Sequence, residues 1–290
     1  IRKASQLLQY WLVRVLQLVA RGLPRPLALR AGVLFGGMLY HLRLRRRVVR
    51  KNLEYVGIWD RHEARRITRK LYRNTGRYLA DFLRAKTSNL PHDFRDMPMI
   101  HRHLARGKGI ICVLAHFGNW EALATIFAPA LPRLHVVAKP MHNPYVEHWL
   151  QGMRDRTGAR TIEKDKALRG TLRALQSNEV IAILIDQNAR GQGEMVPFLG
   201  KPASTVRTVA GLLHRTDCSL LLAHALLRRD NTYHVVVEEG RELGVDRGDQ
   251  EAFIAAYQRD HNEVLSRWIR ENPDHWFGWF HRRFGREARY

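Results

Sequence analysis

From residue 110 onwards, short apolar runs alternate with stretches of helical character, and this alternation is the strongest constraint on the fold. Five runs are mostly hydrophobic, and they lie at residues 110–115, 134–138, 180–185, 219–226 and 233–238. Helical candidates lie between and after them, at residues 120–128, 144–156, 166–176, 204–216 and 250–271. Strands that are apolar throughout are buried on both faces, which is typical of a parallel sheet between helices. We therefore predict an α/β fold with a mostly parallel central sheet covered by helices on both faces.

Positive charge is concentrated in the first third of the chain. The chain has 49 Lys and Arg against 27 Asp and Glu, a formal net charge of +22, and residues 1–110 hold 25 of the basic and six of the acidic residues. Such a cationic layer favours an anionic partner, which is anionic lipid, nucleic acid or an acidic protein. Two cysteines are too few for a disulfide scaffold or a multi-cysteine zinc site, and 45% hydrophobic residues exclude a disordered chain.

The amino-terminal segments have the pattern of a protein that rests on a membrane. Residues 4–21 place Trp11 and several leucines on one helical face, and a second apolar segment, 27–44, runs into a basic cluster at 43–51. A solvated surface helix or a nucleic-acid patch remains the alternative. Because no run of 18 uncharged apolar residues exists, we expect no ordinary spanning helix. We predict a basic helical region for membrane association at residues 1–100 and an α/β core at 101–290.

Polar side chains follow three of the predicted strands. His116 and Glu121 come after the first run, Lys139 comes after the second, and Asp186 and Gln187 follow the third. In open α/β sheets, ligands bind outside the carboxyl ends of the strands. The sequence therefore predicts a functional site at this edge of the sheet.

His116 is the candidate general base, because its ordinary pKa lies near neutrality. Glu121, five residues on and in the first turn of a predicted helix, could hold the imidazole and stabilise its charged form. The alternatives are a histidine that only caps this helix and a metal pair, for which no third ligand is evident. The chain lacks a G-x-S-x-G elbow, an H-E-x-x-H motif, a P-loop and a G-x-G-x-x-G after a strand, which argues against the corresponding hydrolases, zinc proteases, NTPases and dinucleotide enzymes.

Several stretches resemble the bacterial lipid A biosynthesis late acyltransferases, the lauroyl and myristoyl transferases of the H-x4-D/E glycerolipid acyltransferase superfamily. The string HFGNWE at 116–121 is similar to the H-x4-D/E motif, and Arg154–Gly158 is similar to an R-x-x-x-G segment. Residues 178–208 and the ending PDHWFGWFHRRF at 273–284 also resemble the family. The similarity extends over residues 10–284.

The resemblance implies transfer of a fatty acyl chain from an acyl carrier protein thioester to a hydroxyl of a lipid A precursor. His116 would take the acceptor's proton while Glu121 holds His116, in a direct attack without a protein nucleophile. The amides near Gly118 and Asn119 would stabilise the developing oxyanion. No metal and no cofactor is expected.

Further substrate-binding roles fall on four side chains. Arg154 and Arg156 would orient a phosphate or sugar, or else are surface charges at a helix end. Asp186, with Gln187 beside it, would bind sugar hydroxyls or anchor the arginines, or else only cap its loop.

The segment 196–205 lines an acyl tunnel or packs in the core, with Thr205 as the cap of the next helix. The aromatic and basic tail at 276–283 lies at the lipid headgroups or in the core.

The resemblance places the protein on the cytoplasmic face of the inner membrane, with an acidic carrier protein and an anionic lipid as partners and no nucleic acid. Two alternatives stay open. One is an acyltransferase for another membrane glycolipid or lysophospholipid, such as a phosphatidylinositol mannoside. The other is a non-enzymatic cationic protein that binds lipid or nucleic acid.

Overall fold

The computed structural model describes residues 2–84, 90–163 and 167–290, which form helices on both sides of a seven-stranded sheet. The helices are α1 (Arg2–Gly22), α2 (Arg25–His41), α3 (Arg46–Val56), α4 (Arg61–Arg84), α5 (Met97–Ala105), α6 (Trp120–Phe127), α7 (Pro144–Asp155), α8 (Ala167–Gln176), α9 (Thr208–Arg215) and α10 (Gln250–Glu271). The strands are β1 (His92–Asp93), β2 (Ile110–Leu114), β3 (Leu134–Ala138), β4 (Ala159–Glu163), β5 (Val180–Leu184), β6 (Glu194–Phe198), β7 (Lys201–Thr205), β8 (Ser219–Leu227) and β9 (Tyr233–Glu239). The predicted α/β class is confirmed.

The sheet has the order β1-β9-β8-β2-β5-β3-β4, and all of its neighbouring pairs are parallel except β8 with β9. The five predicted strands all form, and each begins at its predicted residue. The edge strands β1 and β4 were not predicted. Strand β4 lies at the edge of the sheet and is only partly buried. Its exposed Arg160 and Glu163 interrupt the apolar pattern by which the other strands are predicted.

The central strands bury both of their faces, as the apolar runs predict. Ile111 and Val113 of β2 point into one hydrophobic core with α3, α9 and α10, whereas Ile110, Cys112 and Leu114 point into a second core with α5 and α6. Successive side chains of a strand point to opposite faces. A strand with helices on both sides must therefore be apolar throughout.

The segment 194–205 forms a β-hairpin of its own. Strands β6 and β7 pair antiparallel with Pro197 opposite Pro202, and the turn at Leu199 and Gly200 has positive φ angles of 52° and 77°. Proline cannot donate a hydrogen bond to a neighbouring strand, so this pair lies outside the main sheet. The prediction of a helix from residue 204 is wrong at its start, because residues 204 and 205 belong to β7 and α9 begins at Thr208.

The amino-terminal helices pack closely on the rest of the molecule. Helices α2 and α4 cross where Gly32 faces Gly76, and a Cβ atom on either glycine would collide with the other's carbonyl oxygen. Helix α3, which the sequence presents only as a basic cluster, buries Val49 and Leu53 in the same core as Ile111. The apolar periodicity of residues 61–86 predicts a helix, which the structure shows as α4 up to Arg84; residues 85 and 86 lie outside the described residues.

Candidate active site

His116 lies two residues beyond the end of β2, and Asp186 lies two residues beyond the end of the neighbouring β5. The imidazole Nδ1 is 2.8 Å from Asp186 Oδ1, and the backbone amide of His116 donates to Asp186 Oδ2 at 3.0 Å. The carbonyl of His116 accepts from the Phe277 amide at 2.7 Å. The imidazole and its backbone are therefore held by β5 on one side and by the carboxy-terminal tail on the other.

Asp186 is a buried carboxylate that stays ionised. It also accepts a hydrogen bond from the Trp276 indole at 2.7 Å, and its side chain is fully enclosed. Burial alone would raise the pKa of Asp186, but the charge of His116 and the hydrogen bonds from His116 and Trp276 lower it to about 2. The site therefore holds a fixed negative charge behind the imidazole.

The geometry leaves the outer nitrogen of His116 free to accept a proton. With Nδ1–H donating to Asp186, Nε2 keeps its lone pair, and it faces the Gln187 side-chain amide at 3.3 Å. Burial lowers the pKa of His116, but the charge and hydrogen bond of Asp186 outweigh it and raise the pKa above its ordinary value. About 20% of the side chain is exposed, so a substrate can reach the ring. This is the arrangement of a general base with an orienting carboxylate.

The expected contact between Glu121 and the imidazole does not form. Glu121 Oε1 instead lies 2.6 Å from Arg154 Nη2, and Oε2 lies 3.4 Å from Arg154 Nε. Glu121 is the second residue of α6 and faces the last turn of α7, while Nδ1 of His116 already donates to Asp186. The prediction that Glu121 holds His116 is therefore wrong for this structure, although its charge contributes to the raised pKa of His116.

Gly118 and Asn119 position the backbone and offer no free amide to an oxyanion. The Gly118 amide donates to the His275 carbonyl at 2.8 Å, and the Asn119 amide donates to the Ala225 carbonyl at 2.9 Å. Gly118 has a φ of +64°, and a Cβ atom there would collide with the Ala225 carbonyl oxygen. The expectation that these two amides stabilise an oxyanion is contradicted, because the Gly118 amide is already bonded to the carboxy-terminal tail and the Asn119 amide to β8.

The side chain of Asn119 is likewise engaged in structure. Its Oδ1 accepts from the Ala122 amide at 3.1 Å and so caps α6, and its Nδ2 donates to the Tyr233 hydroxyl at 2.7 Å. Tyr233 in turn donates to Asp81, which forms a bidentate pair with Arg25 at 2.8 and 2.9 Å. This buried chain of contacts ties the start of α6 to α2 and α4.

The two predicted arginines have different surroundings. Arg154 is held by Glu121, so the expectation that Asp186 anchors it is wrong. Arg156 is exposed at the carboxyl end of α7, and within the described ranges its side chain forms no hydrogen bond or ion pair. After the second predicted strand, Asn143 does not join the site either, because it caps α7 and donates to the Gln6 carbonyl of α1 at 2.9 Å.

The aromatic tail is mostly core. Trp276 and Trp279 are completely buried, and Arg283, also completely buried, donates to the carbonyls of Ser204 and Gln187 and to Thr205 Oγ1. Thr205 is therefore a core contact of β7, and the prediction that it caps the next helix is wrong.

Trp276 is the functional contact that sequence reasoning missed. The motif P-x-x-W contains it, but nothing in the sequence indicates that its indole reaches a carboxylate 90 residues away.

Two cavities lie beside the His116 loop. The first, called here the apolar cavity, has a volume of about 20 Å³ between α6 and the sheet, and it is lined by Cys112, Leu114, Trp120, Glu121, Leu123, Ala124, Phe127, Leu134, Val136, Ala182 and Leu184. The second, called here the arginine cavity, has a volume of about 580 Å³ and is lined by Gln187, Asn188, Arg190, His281, Arg282, Gly285, Arg286, Arg289 and Tyr290. The residues of the 194–205 hairpin line neither of them.

The reactive groups in the described part of the chain do not form a metal site or a thiol nucleophile. No group of three or more His, Cys, Asp and Glu among the described residues could hold a metal ion. Burial raises the pKa of Cys112 to about 12, so this thiol stays protonated. The His116–Asp186 pair is therefore the proton-transfer centre that the geometry supports.

Comparison with known proteins identifies the family of the chain. The family model for bacterial lipid A biosynthesis acyltransferases matches residues 2–286, which is nearly the whole chain. No curated protein was found to match. Across the described ranges, none of the helices combines the length and the apolar character that crossing a bilayer requires.

Proposed function

The chain belongs to the bacterial lipid A biosynthesis acyltransferase family, and from this premise we propose its donor, its acceptor and its location. The enzyme transfers a fatty acyl chain from an acyl carrier protein thioester to a hydroxyl of a lipid A precursor. It works on the cytoplasmic face of the inner membrane. The observation that carries this proposal is the His116–Asp186 pair, which leaves the lone pair of Nε2 facing Gln187, a residue that lines the arginine cavity.

The proton path follows from this pair. The acceptor hydroxyl takes the place of the Gln187 amide at His116 Nε2, and it gives up its proton as its oxygen attacks the thioester carbonyl. Asp186 stabilises the imidazolium that forms. A carbon–oxygen bond forms, the carbon–sulfur bond breaks, and the departing thiolate takes the proton from His116. The products are an ester and a free thiol, so no further reactant is needed.

The apolar cavity suits the acyl chain. It begins beside Trp120 and Glu121 at the start of α6 and runs along β2, β5 and β3. Its volume of about 20 Å³ is no more than that of a single water molecule, so α6 must move away from the sheet to admit a chain. The Glu121–Arg154 pair at its mouth joins α6 to α7, and these two helices would move together.

The amino-terminal helices provide a surface for the membrane. Of the 15 exposed large hydrophobic side chains among the described residues, 11 lie between residues 8 and 44. Trp11 is 61% exposed on α1, and Leu42 and Leu44 are 68% and 57% exposed in the turn that follows α2. These side chains adjoin the basic cluster at 43–51, and apolar side chains beside basic ones suit the interface of an anionic bilayer.

The turn after α2 also lies close to the candidate active site. The Tyr72 hydroxyl donates to the Leu44 carbonyl, and the Tyr72 ring packs on Phe280 at 4.9 Å, next to His281. A membrane that receives Leu42 and Leu44 would therefore meet the tail that carries the arginine cavity.

The direct test is mass spectrometry of the products formed from acyl carrier protein thioesters of graded chain length. The acceptors are a lipid A precursor, a phosphatidylinositol mannoside and a lysophospholipid. We expect a mass gain of one acyl group on the lipid A precursor and none in the folded His116→Ala variant. A gain only on another acceptor would refute the lipid A proposal. Full transfer by His116→Ala would refute the proposed mechanism.

A further inference from the structure

Four arginines line the arginine cavity, whose other lining residues include Gln187 and His281 beside His116, and nothing in the proton path uses them. We propose that Arg190, Arg282, Arg286 and Arg289 bind a phosphate group of the acceptor lipid, carried close to the hydroxyl that is acylated. This inference rests on the proposed function and adds a recognition site to it.

The four arginines have no acidic partner among the described residues, and the Arg282 guanidinium lies 5.7 Å from the centre of the Tyr290 ring. None of them forms an ion pair or donates a side-chain hydrogen bond within the ranges 2–84, 90–163 and 167–290. The residues that line the cavity include no Asp or Glu. Four like charges around one cavity repel each other, so the arrangement favours an anionic occupant.

Residues 282–289, which carry three of these arginines, are anchored by the contacts of neighbouring side chains. Arg283, between Arg282 and Arg286, is completely buried and held by the hairpin carbonyls. The Tyr290 hydroxyl donates to the Asn52 side chain and accepts from the Phe284 amide at 3.3 Å. Anchors before and after Arg286 and Arg289 keep both side chains at the rim of the cavity.

Two of the arginines also adopt a backbone conformation that is unusual for a residue with a side chain. Arg190 has a φ of 55° and Arg289 has a φ of 43°, both in the left-handed region. The Arg190 turn is held by the Asn188 side chain, which accepts from the Arg190 amide at 2.7 Å, and by Ser204, which donates to the Arg190 carbonyl at 2.7 Å. Strained conformations of this kind cluster at ligand-binding positions.

The cavity lies next to the proton-transfer centre. Gln187 lines it and contacts Nε2 of His116 at 3.3 Å, and the ring centre of His281, on its other side, lies 6.2 Å from that of His116. A ligand in the cavity thus has its charged group among the arginines while a neighbouring hydroxyl reaches Nε2.

The chemistry of the four side chains favours a phosphate. Planar guanidinium groups bind phosphate oxygens in pairs, and several of them together match the charge of a phosphate monoester. The donor's phosphopantetheine arm also contains a phosphate. That phosphate lies at the opposite end of the arm from the sulfur, so it cannot lie beside His116 while the thioester reacts there. The acceptor is therefore the source that fits.

The test compares two matched double variants. Arg286→Gln with Arg289→Gln removes two charges from the cavity. Arg215→Gln with Arg270→Gln removes two charges from exposed positions of α9 and α10, whose side chains form no hydrogen bond or ion pair with other described residues. The acceptors are a short-chain phosphorylated glucosamine disaccharide and the same compound without phosphate. The dissociation constants come from calorimetry, and KM and kcat come from the transfer assay.

The cavity variant should bind the phosphorylated acceptor at least about tenfold more weakly, since one charge-assisted contact is worth about that factor. Its KM for this acceptor should rise, while its KM for the acyl carrier protein thioester should stay within about twofold of the native value. Binding of the acceptor without phosphate should be the same in the native protein and both variants.

Equal weakening for both acceptors, or the same loss in the control variant, would overturn the phosphate site. A rise confined to the KM of the thioester would assign the arginines to the donor and would also overturn it. If the native protein bound the phosphorylated acceptor through these arginines but transferred no acyl group to it, the site would stand and the proposed function would fail.

Discussion

Replacing Asp186 by Asn tests the site most directly, because the structure determines how the new amide must turn. Asp186 Oδ2 accepts hydrogen bonds from the His116 amide and the Trp276 indole, and Oδ1 accepts from His116 Nδ1. Asparagine has one acceptor oxygen and one NH₂ group. The two N–H donors at the Oδ2 position will attract the oxygen, so the NH₂ group will face Nδ1.

An NH₂ group at this position reverses the imidazole tautomer. Nδ1 of His116 must then accept, so its proton moves to Nε2, which can no longer take a proton from the acceptor. A comparable change in a Ser-His-Asp triad lowers kcat by about 10⁴-fold, and we expect a fall in kcat/KM of about 10³- to 10⁴-fold, or about 4–5 kcal/mol. The loss of folding free energy should be about 1–3 kcal/mol, because the asparagine keeps its hydrogen bonds to His116 and Trp276.

The pH dependence gives a second measure of the same change. A general base must be neutral, so the activity of the native enzyme should rise with pH through the pKa of His116, which Asp186 raises above 6.5. In Asp186→Asn this acid limb should move to lower pH, because the carboxylate charge is gone.

Steady-state kinetics across pH, an NMR titration of the His116 ring and a thermal melt test these points together. A variant that keeps activity within tenfold of the native enzyme, with an unchanged acid limb, would refute the assignment of Asp186 as the partner of the imidazole.

Four further expectations follow from the same contacts. Glu121→Gln and Arg154→Gln should each lower kcat/KM. The double variant should lose no more activity than either single variant, because each substitution removes the same ion pair. Additive losses, or an acid limb shifted as far as in Asp186→Asn, would show that Glu121 acts on the imidazole instead. Gly118→Ala should lower the free energy of unfolding by more than about 1–3 kcal/mol in urea titrations, because residue 118 has a positive φ and its Cβ atom would collide with the Ala225 carbonyl oxygen. A urea midpoint equal to that of the native protein would contradict this. Trp11→Gln should weaken binding to anionic vesicles about tenfold in flotation assays. The control is Leu168→Gln on α8, a hydrophobic side chain that is 50% exposed outside the amino-terminal helices. Equal binding of native protein and Trp11→Gln would exclude α1 from the interface. The folding free energy that Asp186 contributes should be fully present above pH 3.8 and lost as the pH falls towards 2, because the pKa of Asp186 is lowered in the folded state. If the melting temperatures of the native protein and Asp186→Asn changed in parallel over this range, this expectation would be contradicted.

The strands and helices that a local pattern defines could be predicted well from the sequence. Strands β2 and β5 are apolar at every position and begin where predicted, since a strand between two layers of helices has no solvent-facing side. The hairpin of β6 and β7 was missed for the opposite reason. Proline within a strand pattern predicts the end of a strand, so Pro197 and Pro202 argue against strands here. The two prolines are accommodated because they lie opposite each other in the β6–β7 pair.

In the candidate site, too, some features could be predicted from the sequence and others could not. From the residues alone, His116 and Asp186 were expected at one edge of the sheet, because both follow buried parallel strands. Their direct contact was not expected, because it depends on β2 lying next to β5 across 70 residues of chain, and strand order is not written in local periodicity. Proximity along the chain favoured Glu121 as the partner.

The amino-acid sequence by itself thus determined the class of fold, the cationic amino-terminal helices and the candidate general base, all of which depend on side-chain type and spacing. The tertiary structure decided which carboxylate holds the imidazole, that the Gly118 and Asn119 amides are already used, and that the buried Arg283 presents its neighbours to one cavity. The physical reason is that a hydrogen bond requires two groups within about 3 Å, and such distances are set by the packing of strands and helices that are remote in sequence.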